Sequence, residues 1–145
     1  MIRALTTNDA ATVAAISRAA RFDAIPGYPD LHTPAEDRAF YRSQIDEGDG
    51  FGEVDEAGQM RGFVLWRGQL IEHLYVDVAH QRVGIGSRLL SAALDAIPAR
   101  PVRLWTFQAN ARAVSFYRGH GFLEVDQTDG EANEEGLPDV LFELR

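Results

Sequence analysis

Residues 70–97 set the tightest limit on what this chain can fold into. Leu70-Ile71-Glu72-His73-Leu74-Tyr75-Val76 is short, apolar and β-branched enough to read as a strand. A brief loop then leads to Gly84 and Gly86, and Leu89, Leu90, Ala93, Leu94 and Ile97 follow on one stripe of a helix. Pro98 and Pro101 end that helix. A strand that runs through glycines into a helix leaves the first N–H groups of the helix without partners. The helix dipole adds about half a positive charge at the same place. Glycine lets a ligand come close to such a backbone, so the segment suits an anion such as a diphosphate. Arg82 can add charge at the rim. The same pattern also serves as a plain glycine turn into a core helix. Two other phosphate motifs do not fit. Leu89 stands where a dinucleotide fingerprint needs its third small residue. The Gly-Lys-Ser/Thr of a P-loop does not occur.

The rest of the chain supplies elements on either side. Ile2–Leu5 reads as a strand, and Asn8–Ala20 as a helix with Val13, Ile16 and Ala20 on one face. Thr33-Pro34-Ala35-Glu36 is a capping box with proline at the first helical position, and that helix runs to Glu47 and stops at Gly48. Phe51–Asp55 and Met60–Trp66 read as strands joined at Glu56–Gln59. Val102–Phe107 is a strand, Asn110–His120 a helix closed by Gly121, and Phe122–Asp126 and Val140–Leu144 a last pair of strands. The order β-α-α-β-β-β-α-β-α-β-β predicts an α/β fold, a mixed sheet with helices on both faces. Trp66 and Trp105 are expected in the core. A chain of 145 residues fits one domain over residues 1–145.

Charge and composition narrow the partners. The net charge is −8, which disfavours nucleic acid. Asp126, Asp129, Glu131, Glu134, Glu135 and Asp139 fall in one stretch without Lys or Arg, and this loop would attract a cationic amine. The absence of cysteine excludes a thiol nucleophile and disulfides. No window approaches the roughly 20 apolar residues of a membrane span. A cytoplasmic protein without membrane contact is the expectation. His32, His80 and His120 lack metal-ligand spacing, so no metal is expected.

Two blocks together resemble a family. Leu74-Tyr75-Val76 followed by Gln81-Arg82-Val83-Gly84-Ile85-Gly86 is similar to the Gln/Arg-x-x-Gly-x-Gly/Ala signature of GNAT-type N-acetyltransferases. Asn110, Ala113, Phe116, Tyr117, Gly121 and Phe122 match that family's next block, Asn-x-x-Ala-x-x-Phe-Tyr-x-x-x-Gly-Phe. The likeness covers roughly residues 2–144, with the N-terminal third matching in pattern only. It implies a mostly antiparallel sheet in which strands 70–76 and 102–107 splay around a slot for coenzyme A. It implies acetyl-CoA as cosubstrate and an amine of a small molecule or peptide as acceptor. The acceptor side is expected from the two N-terminal helices, their loop and the loop after Phe122, with Arg21, Tyr28, His32 and the acidic run 126–139 as the relevant parts. The backbone of Leu74, Tyr75 and Val76 would pair with the pantetheine arm. Amides from Arg82 through Val83, Gly84, Ile85 and Gly86 to Ser87 would hold the diphosphate, with Gln81 at their head. Asn110 would touch the pantetheine, and Tyr117 would lie near the sulfur as general acid. Glu72, acting through water, is the expected base. His73 and a water chain alone are the alternatives. A non-catalytic acyl-CoA-binding module on the same fold is the rival function. Exposed sheet edges in this fold make a homodimer an expectation.

Overall fold

Seven strands form one sheet, described by a computed structural model of all 145 residues. The strands are β1 (Ile2–Ala4), β2 (Asp49–Val54), β3 (Met60–Arg67), β4 (Leu70–Val76), β5 (Val102–Phe107), β6 (Leu123–Gln127) and β7 (Asp139–Leu144). Their spatial order is β1-β2-β3-β4-β5-β7-β6. Every neighbouring pair is antiparallel except β4 and β5. The helices are α1 (Ala10–Ala24), α2 (Pro34–Glu47), α3 (Ile85–Ala96) and α4 (Ala111–Gly119). No helix is long and apolar enough to cross a membrane.

Strand β3 explains why the sheet is covered on both faces. Phe63 and Leu65 pack with Val13, Ile16, Tyr41 and Ile45 of α1 and α2. Val64 and Trp66 pack on the opposite face with Leu89, Leu90 and Ala93 of α3. A continuous apolar run is what a strand buried on two sides requires. The predicted Thr33 box forms as expected. Its hydroxyl accepts from the Glu36 amide at 3.1 Å, and Glu36 accepts from the Thr33 amide at 2.9 Å. Helix α1 runs four residues past its predicted end, because nothing between Ala20 and Pro26 breaks it. Arg21 in that added turn bonds back to Ser17.

Trp66 is buried, but Trp105 is 43 % exposed, which corrects the expectation of two core tryptophans. Neighbours on β5 alternate. Leu104 enters the α3 side of the core, so Trp105 faces the other side, beyond the cluster that α1 and α2 close over β2 and β3.

Candidate active site

The parallel pair β4–β5 is joined at only two registers, Leu70↔Arg103 and Ile71↔Leu104. From Glu72 onward β4 has no strand on its β5 side, so the two strands part. The main-chain groups along that edge are left facing a slot. The gap is the entrance to two cavities that meet at Leu74, Tyr75, Asn110, Ala113 and Tyr117.

The larger cavity is a groove of about 650 Å³. Its floor is Leu74–Val76 and its far wall is α4. Gly84, Ile85, Gly86 and Ser87 close one end. Gly84 caps α3 at φ +86°, in the left-handed region that glycine enters without strain. No side chain caps the helix, so its first amides remain available. Arg82 also takes a positive φ, +66°, in turning the loop toward the helix. A β-carbon on Gly86 would stand 3.4 Å from the Phe116 ring, so the groove is narrow there. The Ile85 side chain is core, which leaves its backbone for any ligand. An uncapped helix start, a glycine-walled end and an unpaired strand edge together fit an elongated molecule with a diphosphate at one end. Val83 is the exception among the residues expected here. It is 60 % exposed and borders neither cavity, because the Arg82–Gly84 turn directs it to solvent.

Polar side chains around the groove are held in place. Gln81 donates to the Val76 carbonyl at 3.2 Å and accepts from Arg112 at 2.8 Å. Arg112 also binds Asp23 at 2.8 Å, which ties α4 to the end of α1. The Asn110 side chain accepts from the Ala113 amide at 3.2 Å, so this residue caps α4 while facing both cavities. His120 Nδ1 lies 2.8 Å from the Phe116 carbonyl, which can only accept. In the neutral ring Nε2 then accepts from the Ser87 hydroxyl at 3.1 Å. Ser87 is thereby fixed, and its amide is left for a ligand.

Tyr117 stands at the junction of the two cavities, packed edge-on against Phe116 and Phe122. Burial, with Tyr75 nearby, pushes its hydroxyl well above the usual tyrosine value and keeps it protonated. Burial likewise raises Tyr75, to about 12.

The smaller cavity, about 190 Å³, opens on the other side of Tyr117. Glu72 and His73 both border it, but their environments differ. Leu65 pairs with His73 and Trp66 with Ile71, so Glu72 is the extra residue of a β-bulge. Its carboxylate lies 3.8 Å from Arg67. His73 turns toward α2, against Phe40, Tyr41 and Tyr75. Burial, followed by the charge of Arg21, drives its pKa down to about 3. It is therefore neutral and too weak to draw a proton from an ammonium group at neutral pH.

Arg21, expected on the acceptor side, lines this pocket, whereas Tyr28 and His32 do not, and the acidic loop does not enter it as one unit. Of that run only Glu135 and Asp139 border the pocket. Glu134 instead pairs with His32 at 2.8 Å and joins the loop to the segment before α2. That hydrogen bond holds His32 above its usual value. A raised folded pKa means that the pair stabilises the fold fully below about pH 6.5, the unfolded value. The contribution is lost as pH rises through the folded value. A proton-NMR titration should place His32 above 6.5, and Glu134→Gln should return it there.

A model of the acetyltransferase (GNAT) domain matches residues 30–145. The chain belongs to the GNAT acetyltransferase family. Among curated proteins, a Mycobacterium tuberculosis protein named "Probable N-acetyltransferase" is 42 % identical over 52 residues, or 36 % of this chain and 30 % of that protein. The match thus spans less than a third of that relative's length. Solved structures show the same fold over nearly the whole chain. A GCN5-related N-acetyltransferase from Rhodopseudomonas palustris has a TM-score of 0.83 at 20 % identity, covering 99 % of this chain and 93 % of that one. Apo YjaB from Escherichia coli has 0.78 at 24 %, covering 99 % and 95 %. The Salmonella typhimurium protein yncA, solved with its cofactor acetyl-CoA, has 0.75 at 22 %, covering 100 % and 92 %. The GNAT fold expected from the two motif blocks is thereby established, as a mostly antiparallel sheet that opens between β4 and β5.

Proposed function

We propose that this chain transfers an acetyl group from acetyl-CoA directly to an amine, with both substrates bound at once. The observation that carries this reading is the meeting of two separate cavities at Tyr117, one shaped for a diphosphate-bearing arm and one for a small acceptor. Leu74, Tyr75 and Val76 offer backbone hydrogen bonds to the pantetheine in the manner of an added strand. The amides of Arg82 and of Gly84 to Ser87 receive the diphosphate, and Asn110 contacts the arm from across the slot. The acetyltransferase relatives support acyl transfer as the class of reaction.

Glu72, through water, takes a proton from the acceptor ammonium and frees the nitrogen lone pair. The nitrogen attacks the thioester carbon, while a backbone N–H near Val76 stabilises the charge that develops on the oxygen. The C–N bond forms and the C–S bond breaks. Tyr117 gives its proton to the departing sulfur, the nitrogen's second proton restores the Tyr117 hydroxyl, and Glu72 passes the first to solvent. The products are an N-acetyl amide, coenzyme A and one proton released to solvent.

Incubation of purified protein with acetyl-CoA and an amine panel, with thiol release as readout, tests the transfer. Stabilisation by acetyl-CoA without thiol release from any amine would favour the non-catalytic acyl-CoA-binding module. Glu72→Gln should lower kcat on the order of 100-fold and leave the KM for acetyl-CoA unchanged. An unchanged kcat would remove Glu72 from the mechanism. A homodimer through β6 is part of the same proposal. That strand lies at the sheet edge and exposes Leu123 and Val125, and light scattering gives the mass.

A further inference from the structure

The acceptor pocket carries both signs of charge, and this narrows the acceptor further than an acidic loop alone would. Arg21 enters from α1 and Glu135 from the loop between β6 and β7, and both line the cavity that Tyr117 bounds. They form no ion pair with one another, although Glu135 feels the charge of Arg21 across the pocket. The one ion pair of Arg21 is with Asp37 at 3.5 Å, and Asp37 is shared with Arg18 at 3.1 Å. Arg18 is further engaged by Asp30 at 2.7 Å. Glu135 forms no ion pair, whereas its neighbour Glu134 is taken by His32.

The donors of Arg21 can be counted. Its Nε–H is directed at the Ser17 carbonyl and hydroxyl, one Nη reaches the Tyr28 hydroxyl at 3.3 Å, and the other lies beside Asp37. A guanidinium has five N–H groups, so two remain for a ligand. The charge of Arg21 is also felt by the surrounding rings, since it lowers His73 and Tyr75. Burial raises the Glu135 carboxyl despite the charges of Arg21 and His32, and a ligand cation in direct contact would offset that cost.

Size limits what can satisfy both groups. The cavity of about 190 Å³ is equivalent to roughly six waters at about 30 Å³ each. A folded peptide segment is too large. A simple alkylamine of suitable size would cover Arg21 without giving its free donors an acceptor, which is costly.

We propose that the acceptor is a small amino acid or close analogue, with its carboxylate held by Arg21 and its ammonium group by Glu135 beside Tyr117. This inference rests on the acetyl-transfer reading and adds the class of acceptor to it. Arg21 is then a specificity-determining residue. It lies outside the cofactor groove, so its replacement leaves the coenzyme A contacts intact.

The test uses matched acceptors with acetyl-CoA and thiol release: a set of small amino acids, their amides and the corresponding decarboxylated amines. At least one amino acid should exceed its amide and its amine in kcat/KM on the order of 100-fold. Arg21→Gln should bring that ratio close to one, and Arg21→Lys should restore part of it. The melting-temperature rise with coenzyme A should be the same in wild type and variants, which shows that the variants are folded. Equal rates for amino acid, amide and amine, or a ratio unchanged in Arg21→Gln, would overturn the acceptor assignment while leaving acetyl transfer in place. Absence of thiol release from every acceptor would instead overturn the transfer reading, and the acceptor class with it.

Discussion

Gly86→Glu is expected to weaken coenzyme A binding on the order of 1000-fold while leaving the apo fold intact. Gly86 lies in the first turn of α3, whose start has no side-chain cap. A glutamate there suits the helix itself, since its charge complements the positive end of the dipole. The backbone at this position needs no left-handed conformation, so a side chain brings no strain. The cost falls on the ligand. The new β-carbon would touch the Phe116 ring at 3.4 Å, and the rest of the side chain would then fill the groove. Its carboxylate would stand near the proposed diphosphate. Two like charges about 4 Å apart repel by about 4 kcal/mol at an effective dielectric near 20, which is close to three decades in affinity. Calorimetry with coenzyme A measures this, and a melting curve of the apo protein reports the fold. Binding within tenfold of wild type would mean that the diphosphate does not lie at the start of α3.

Tyr117→Phe is expected to lower kcat by a factor of 100 to 1000, on the order that a lost general acid costs. Affinity for acetyl-CoA and thermal stability should change little. The ring contacts with Phe116, Phe122 and Phe142 are all made by carbon atoms that phenylalanine retains. Burial and the nearby Tyr75 account for the raised hydroxyl without any hydrogen bond to it, so its removal orphans no partner. The sign of the shift gives a second expectation. A tyrosine held above its usual value of about 10 keeps its proton through the accessible alkaline range, so no loss of wild-type activity below pH 10 should trace to its ionisation. A variant with wild-type kcat would reject the acid role.

Much of the proposed cofactor groove is legible in the chain because its determinants are local. Gly84 and Gly86 announce a helix start that a ligand can approach. Asn110 caps α4 and faces the slot for the same reason, a short polar side chain at a helix entrance. Val83 shows the limit of such reading. Its place within the motif says nothing of its direction, which the left-handed Arg82 and Gly84 on either side decide. The proposed acceptor pocket was legible in part: the sequence offered Arg21 and the acidic run, but not which of their groups meet. Arg21, Tyr75, Trp105 and Glu135 come from four distant segments, and no spacing links them. The choice between Glu72 and His73 likewise turns on a bulge in β4, which only pairing with β3 creates.

Sequence alone determined the order of elements, the capped start of α2, the apolar stripe of α3 and the glycine turn before it. These follow from period, capping and glycine, which act over a few residues. Tertiary structure decided how far β4 and β5 stay paired, which face Trp105 takes, and which charges meet around the acceptor. Those depend on burial and on pairing between segments far apart in the chain. A side chain's neighbours across the fold, and not its own identity, decide whether Arg21 and Glu135 compensate each other or stand ready for a ligand.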